Sequence, residues 1–179
     1  MLGVHDLDRL QAAFPDLQME LVGGKVIVMS PSDVVSSAVA MRFGSSLEPY
    51  VRERKLGRLF GPDAGFILTN GDLRAPDVSF VSFERLRALP HRYASVTPEF
   101  TVEVRSSSDR PAEVVDKLRT YLENGAVVGI YVDPREHCIR ILRAERDDEI
   151  LHDGGVIAVP ELFANWSLAV SELWPVEAP

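Results

Sequence analysis

Residues 100–132, FTVEVRSSSDRPAEVVDKLRTYLENGAVVGIYV, decide the fold. The segment begins with an apolar strand, continues with a helix from about 111 to 124, and ends with a second apolar run at 127–132. Gly125 stands where the residue after a helix often adopts a positive φ. A strand, helix, strand unit joins parallel neighbours, so this segment predicts two parallel strands with a helix packed across them.

The flanking sequence adds antiparallel strands to this unit. A turn at 133–136 leads into a strand at 138–142, and Gly23-Gly24 joins strands at 19–22 and 25–29 in a tight hairpin. Shorter strands are predicted at 58–61, 65–68 and 77–81. We therefore expect an α/β (α+β) fold with a mixed central β-sheet flanked by helices and an N-terminal β-hairpin.

Two further segments have helical spacing. Residues 5–14 form a short amphipathic helix that stops at Pro15, and residues 33–54 form a long helix that ends near Gly57. The chain has 179 residues, of which 46% are hydrophobic. That length suits one well-buried core, so we expect residues 1–179 to form a single domain, with Trp166 and Trp174 in its core or at a subunit contact.

Charge and composition exclude several classes of protein. The formal net charge of −8 argues against tight non-specific DNA binding, although a local basic strip or bound divalent cations can offset acidic surface elsewhere. Cys138 is the only cysteine and the four histidines have no metal-ligand spacing, so disulfide and zinc scaffolds are excluded. Phosphate-binding-loop, dinucleotide and serine-hydrolase motifs are absent.

The sequence also predicts the cellular compartment. The first residues lack the basic start and apolar run of a signal peptide, and no stretch reaches the roughly 18 apolar residues of a membrane span. We therefore expect a cytoplasmic protein that is not anchored in a membrane.

Two carboxylates interrupt otherwise apolar strands. Asp77 starts one predicted strand and Glu103 lies within another. A buried carboxylate costs several kcal/mol unless it is paired or binds a cation, and two on neighbouring strands suit a hard cation such as Mg²⁺. The alternative is that both face solvent on the polar side of half-buried strands.

Lys117 and the loop after Glu103 complete the candidate site. Lys117 lies at the edge of the apolar stripe of the following helix, from which its ammonium can reach the carboxylates, although a lysine there is commonly a solvated charge. The polar loop 105–110 offers hydroxyls or Asp109 as a helix cap, and we predict Arg105 and Ser108 as contacts to a bound phosphate.

The order of these motifs resembles the Uma-two family of restriction endonucleases, in the PD-(D/E)XK nuclease superfamily. The resemblance covers nearly the whole chain, including its tail from Val159 to Leu173, and rests on these motifs: ELVGGK (20–25), MSP (29–31), PDVSFV (76–81), PEFTVEV (98–104), SSSD (106–109), Lys117 with Tyr121 and Gly125, and VDP (132–134). It implies a restriction-endonuclease-like fold and a metal-dependent DNA endonuclease. Mg²⁺ or Mn²⁺ would then be held by Asp77 and Glu103, with Lys117 beside the attacking water and Glu20 supporting the metal site.

The sequence departs from the family pattern at three places. Ser36-Ser37 stand where a histidine is common, Lys25 where an acidic residue is common, and Arg105 occupies the usual lysine spacing from Glu103 without being able to act as a base. We expect DNA as substrate and a homodimer, since paired sites cut both strands. A catalytically idle module that binds DNA or a protein partner, and a phosphodiesterase acting on RNA or a small nucleotide, remain open alternatives.

Overall fold

A computed structural model describes residues 1–176. Its helices are α1 (Val4–Ala13), α2 (Val34–Glu53), α3 (Pro111–Glu123) and a short 3-10 helix (Val170–Leu173). The strands in the first half are β1 (Gln18–Val22), β2 (Lys25–Met29), β3 (Gly57–Phe60), β4 (Phe66–Ile67), β5 (Leu73–Arg74) and β6 (Val78–Ser82). Those in the second half are β7 (Phe100–Val104), β8 (Val128–Asp133), β9 (Cys138–Arg143), β10 (Arg146–Leu151), β11 (Val156–Ala158) and β12 (Ser167–Ala169).

The central sheet has six strands in the order β10-β9-β8-β7-β6-β3. β7 and β8 are parallel, with α3 as their crossover, and every other pair in this sheet is antiparallel. The prediction of a mixed sheet built on residues 100–132 is therefore confirmed.

A second sheet has four strands in the order β2-β1-β5-β4. The β1–β2 hairpin turns at Gly23 and Gly24, whose φ angles of 54° and 74° are those that glycine adopts readily. α1 packs against this sheet through Leu7, which lies in a small core with Leu21 and Leu73. The N-terminal hairpin is confirmed, and the short strands β4 and β5 widen it into a sheet.

α2 and α3 pack on opposite faces of the six-stranded sheet. Successive side chains of each strand point to opposite faces, so one strand contributes residues to both cores. Val102 and its neighbours on β7 join α2 residues such as Phe43 in the larger core, which also contains Trp166 and Trp174. Leu118 and Tyr121 of α3 cover the other face. Glu103, one residue after Val102, therefore points toward α3.

Four strands, β5, β10, β11 and β12, were not predicted from the sequence, and β4 is shorter than predicted. β10 was not predicted, because its sequence RDDEIL is mostly charged and the strand lies exposed at the sheet edge. The strand predicted at 65–68 is only Phe66–Ile67 long, and it pairs with β5, which was also missed. Within residues 1–176, no helix is both long and apolar enough to cross a membrane.

Candidate active site

The register of β6 and β7 brings Asp77 and Glu103 together. Val78 pairs with Val102 in antiparallel fashion, so the residue before Val78 lies beside the residue after Val102. Oδ2 of Asp77 accepts a hydrogen bond of 2.7 Å from the Val104 backbone N–H, which fixes the carboxylate at this end of the strands. The two predicted carboxylates thus lie side by side at one end of the neighbouring strands β6 and β7.

Glu103 is buried beneath α3. Its Oε1 atom lies 3.0 Å from the ammonium of Lys117 and accepts a 3.2 Å hydrogen bond from the hydroxyl of Tyr121. Lys117 and Tyr121 are four residues apart on α3 and therefore lie on the same helix face. The helix that joins β7 to β8 supplies both of these contacts to Glu103.

Glu20 reaches the same ammonium from the second sheet. Its Oε1 atom lies 3.1 Å from Lys117 Nζ and accepts a 2.9 Å hydrogen bond from the Ala75 backbone N–H. Arg74 pairs with the other oxygen at 3.1 Å, and Lys117 also donates to the Ala75 carbonyl at 3.3 Å. Lys117 therefore links the hairpin sheet to the central sheet.

Burial and the positive charge of Lys117 shift the pKa values of these carboxylates in opposite directions. Burial is the main reason that the pKa of Glu103 is raised to about 8; Lys117 offsets only part of this, and the carboxylates of Asp77 and Glu20 add to it. Burial likewise raises the pKa of Asp77, against the Val104 hydrogen bond and Lys117. For Glu20, Lys117, the Ala75 hydrogen bond and Arg74 outweigh burial and lower the pKa.

The surroundings of Lys117 favour its charged form. Burial alone would lower the pKa of Lys117, but the carboxylates of Glu103, Glu20 and Asp77 outweigh it and raise that pKa. Lys117 therefore stays protonated at neutral pH and acts as a donor and a positive charge.

The donor chemistry of Asp77 and Glu103 fits a hard divalent cation. Within residues 1–176, no hydrogen bond reaches Oδ1 of Asp77 or Oε2 of Glu103, because the bonds described above use the other oxygen of each. Mg²⁺ commonly binds through one or two carboxylates and keeps several waters. The described residues contain no cluster of three or more histidine, cysteine or acidic side chains that could hold a metal on their own.

The site opens into a cavity of about 640 Å³ between the two sheets. Among the described residues, Lys117 is the only cation in its lining, which includes these acidic residues: Asp16, Glu20, Asp63, Asp77, Glu103, Asp109 and Glu113. Hairpin residues Ile27, Val28 and Met29 form an apolar wall and are 42%, 54% and 38% exposed. The cavity therefore combines an acidic lining around the site with an apolar wall formed by the hairpin.

Comparison with known proteins identifies the family and the fold. The sequence model of the family described as "Uma2: Putative restriction endonuclease" matches residues 4–171. The chain belongs to the Uma2 family. A crystal structure of "a putative nuclease belonging to DUF820" from Anabaena variabilis ATCC 29413 aligns with a TM-score of 0.77 at 19% identity, covering 87% of this chain and 88% of that chain. This likeness shows the nuclease-like fold, and curated protein sequences gave no match.

The loop between β7 and α3 is held by contacts within the protein. Arg105 pairs with Asp133 at 2.9 Å and donates from Nε to the Asp109 carbonyl at 3.3 Å, and its side chain does not line the cavity. Ser108 does line it. A phosphate contact remains a prediction for both, and the observed pairing gives Arg105 a role in holding the loop.

The predicted cap of α3 was wrong. Arg110 is the N-cap residue and its side chain makes no cap hydrogen bond. The carboxylate of Asp109 turns back instead and accepts a 2.8 Å hydrogen bond from the Ser106 N–H. Pro111 begins the helix, where a missing N–H costs nothing.

The structure also brings in residues that the sequence reading missed. Arg74 belongs to the two-residue strand β5, too short for periodicity to reveal, although it directly precedes Ala75-Pro76-Asp77. Asp33 caps α2 through Ser36 and accepts a 2.6 Å hydrogen bond from the Ser107 N–H. Asp33 thereby ties the β7–α3 loop to α2 in this Uma2 protein.

Proposed function

We propose that this Uma2 protein is a metal-dependent endonuclease that hydrolyses phosphodiester bonds in DNA. The observation that carries the proposal is that Asp77, directly before β6, lies beside Glu103 of β7, with Lys117 3.0 Å from Glu103. Membership of a family described by restriction endonuclease activity supports the same conclusion.

Asp77 and Glu103 would hold Mg²⁺ or Mn²⁺ through their remaining oxygens. A bound divalent cation lowers the pKa of a coordinated water and stabilises negative charge on a phosphate. Lys117, kept protonated by its carboxylate neighbours, orients the water and offsets charge on the phosphate. Glu20 and Arg74 hold Lys117 in place, and Ser108 offers a hydroxyl at the cavity wall.

We further propose that two copies act together. One subunit of this kind offers a single Asp77, Glu103 and Lys117 site, whereas cleavage of both DNA strands requires two phosphodiester cuts. Sedimentation equilibrium tests this directly, since a homodimer would give twice the 19.8 kDa mass of the chain.

A catalytically idle nuclease-fold module is the rival function. The net charge of −8 and the seven acidic residues that line the cavity favour it, because both repel nucleic acid in the absence of a cation. Such a module would bind a partner but would not turn over DNA, RNA or a small nucleotide.

The test is cleavage of supercoiled plasmid and of single-stranded DNA with Mg²⁺ or Mn²⁺, with EDTA as the metal-free reference. Wild type is compared with Asp77→Asn and with Asp147→Asn, which removes an exposed carboxylate on β10 outside the site. We expect cleavage by wild type and Asp147→Asn alone. Equal cleavage by Asp77→Asn would exclude the proposed site, and inactivity of all three proteins would favour the idle module.

A further inference from the structure

A second cavity lies at the edge strand β3 and has the opposite charge. It measures about 370 Å³, and we call it the β3 pocket; its charged lining residues are Glu48, Arg52, Lys55 and Arg58. Three cations and one acid thus face this space, in a chain whose net charge is −8 and whose larger cavity is acidic. A local excess of positive charge of this kind attracts phosphates.

The β3 pocket also contains an exposed aromatic ring. The guanidinium carbon of Arg58 lies 4.7 Å from the ring centre of Phe83, within the range of a cation–π contact. Arg58 is fixed there by hydrogen bonds of 2.7 Å to the Leu86 carbonyl and 3.2 Å to the Arg87 carbonyl. Phe83 is nevertheless 39% exposed, so its ring remains accessible.

Lys55 holds a strained backbone beside the pocket. Its φ of 53° is in the left-handed region, directly after the α2 C-cap residue Arg54, where glycine is the usual choice. Arg52 and Arg54 pair with Glu48 and Glu53, whereas no ion pair involves Lys55 within residues 1–176. The chain thus carries an uncompensated ammonium at a position where glycine would be less strained, and such strain collects at functional sites.

The pocket lies along the sheet from the candidate active site. Gly57 pairs with Ser82 at one end of β6, and Asp77 adjoins the other end. Asp77 and Ser82 are five residue steps apart, or about 17 Å at roughly 3.3 Å per step along a strand. Arg52 belongs to α2, whereas Glu103 faces α3 on the other side of the sheet, so a nucleic-acid strand that joins the two sites passes around the sheet and follows a longer path than this.

We propose that the β3 pocket binds a nucleic-acid strand, with phosphates at Arg52 and Lys55 and a base against Phe83. Ammonium and guanidinium groups neutralise backbone phosphates, and aromatic rings accept any base by stacking. The inference rests on the proposed function, because it assigns the strand to the substrate cut at Asp77 and Glu103. The β3 pocket supplies the basic surface that the active-site cavity lacks.

The test measures binding without cleavage, by fluorescence anisotropy of a fluorescein-labelled single-stranded oligonucleotide in EDTA at several salt concentrations. Lys55→Gly removes the ammonium and relaxes the backbone, so it should weaken binding several-fold without lowering the melting temperature. The slope of log affinity against log salt should fall by about 0.7 for each phosphate that the variant no longer neutralises. Arg52→Ala should behave in the same way in binding.

Arg146→Ala is the matched control, because it removes an exposed arginine from β10 at the opposite edge of the same sheet. It should leave the affinity and the salt slope at the wild-type values. An equal weakening in Arg146→Ala, an unchanged slope in Lys55→Gly, or no measurable binding by wild type would overturn the proposal.

Phe83→Ala tests the base contact. It should weaken binding to the intact oligonucleotide but not to an abasic one of the same length, since only the former offers bases to stack. Equal weakening with both would remove stacking from the proposal. Asp77→Asn separates the two proposals: it should abolish cleavage while retaining this binding, and retained cleavage would count against the active site alone.

Discussion

The ammonium of Lys117 lies 3.0 Å from the carboxylate of Glu103, in a space where both side chains are largely buried. The same ammonium lies 3.1 Å from Glu20, so one positive charge serves two carboxylates that come from different sheets. Lys117 is therefore expected to matter both for the reaction and for the joint between the sheets.

Replacing Lys117 by Met tests both roles. The substitution leaves Glu20 and Glu103 without their shared counter-ion, and loss of one partner of a buried pair costs about 3 kcal/mol or more. We expect lower stability in urea unfolding and no cleavage, with stabilisation by Mn²⁺ still present because Asp77 and Glu103 remain. Lys117→Arg keeps the charge and should recover most of the stability; cleavage by Lys117→Met at the wild-type rate would remove Lys117 from the mechanism.

Asp77→Asn should separate stability from metal binding. The pKa of Asp77 is raised chiefly by burial, so its charged form destabilises the metal-free protein at neutral pH. Asn is uncharged and still offers an oxygen to the Val104 N–H. We expect Asp77→Asn to be at least as stable as wild type in EDTA.

Added Mg²⁺ should reverse that order in thermal unfolding. A cation at ten times its dissociation constant stabilises the protein that binds it by about 1.4 kcal/mol. Wild type should therefore gain melting temperature, and Asp77→Asn should not. An equal gain in both proteins would place the cation elsewhere.

Much of the fold could be predicted because its strands are apolar and long. β7, α3 and β8 carry clear periodicity, and their residues pair as the sequence indicates. The sequence pattern did not predict β10, because an exposed edge strand needs no apolar face. It did not predict β5, because two residues are too few to show a strand's alternation. β5 is stabilised by pairing with Leu21 of β1, which is distant in the sequence, whereas β10 pairs with β9, the strand directly before it in the chain.

The site could be predicted in part for the same reason. Asp77 and Glu103 interrupt apolar strands, which marks them as unusual, and Lys117 follows on the next helix. The partners of Arg105 could not be predicted, because its pairing with Asp133 depends on where β8 lies beside β7. A polar residue in a loop gives no sequence signal that separates a phosphate contact from an internal ion pair.

A double-mutant cycle on Arg105 and Asp133 decides between these two roles. Their 2.9 Å pair is largely buried, with side chains 16% and 5% exposed, so we expect a coupling energy of about 1–2 kcal/mol in urea unfolding. Arg105→Ala and Asp133→Asn should also lower cleavage to a similar extent, since both release the β7–α3 loop. Loss of cleavage in Arg105→Ala alone, with no coupling, would instead indicate a phosphate contact.

The contact between α2 and the β7–α3 loop should depend on pH, because it runs through the carboxylate of Asp33. Its hydrogen bond from the Ser36 amide, aided by the bond from Ser107, lowers the pKa of Asp33 from 3.8 to about 2. A lowered pKa stabilises the folded state above the unfolded value, and this stabilisation is lost as the pH falls from about 4 through about 2. Asn at position 33 has one carbonyl oxygen for two amides, so Asp33→Asn should unfold more easily at pH 6. The deficit should not exceed about 1 kcal/mol, because Asp33 is substantially solvated and the charge is screened. Urea unfolding between pH 6 and pH 2 should show the two proteins converging, whereas a constant difference would mean that the carboxylate charge contributes nothing to this joint.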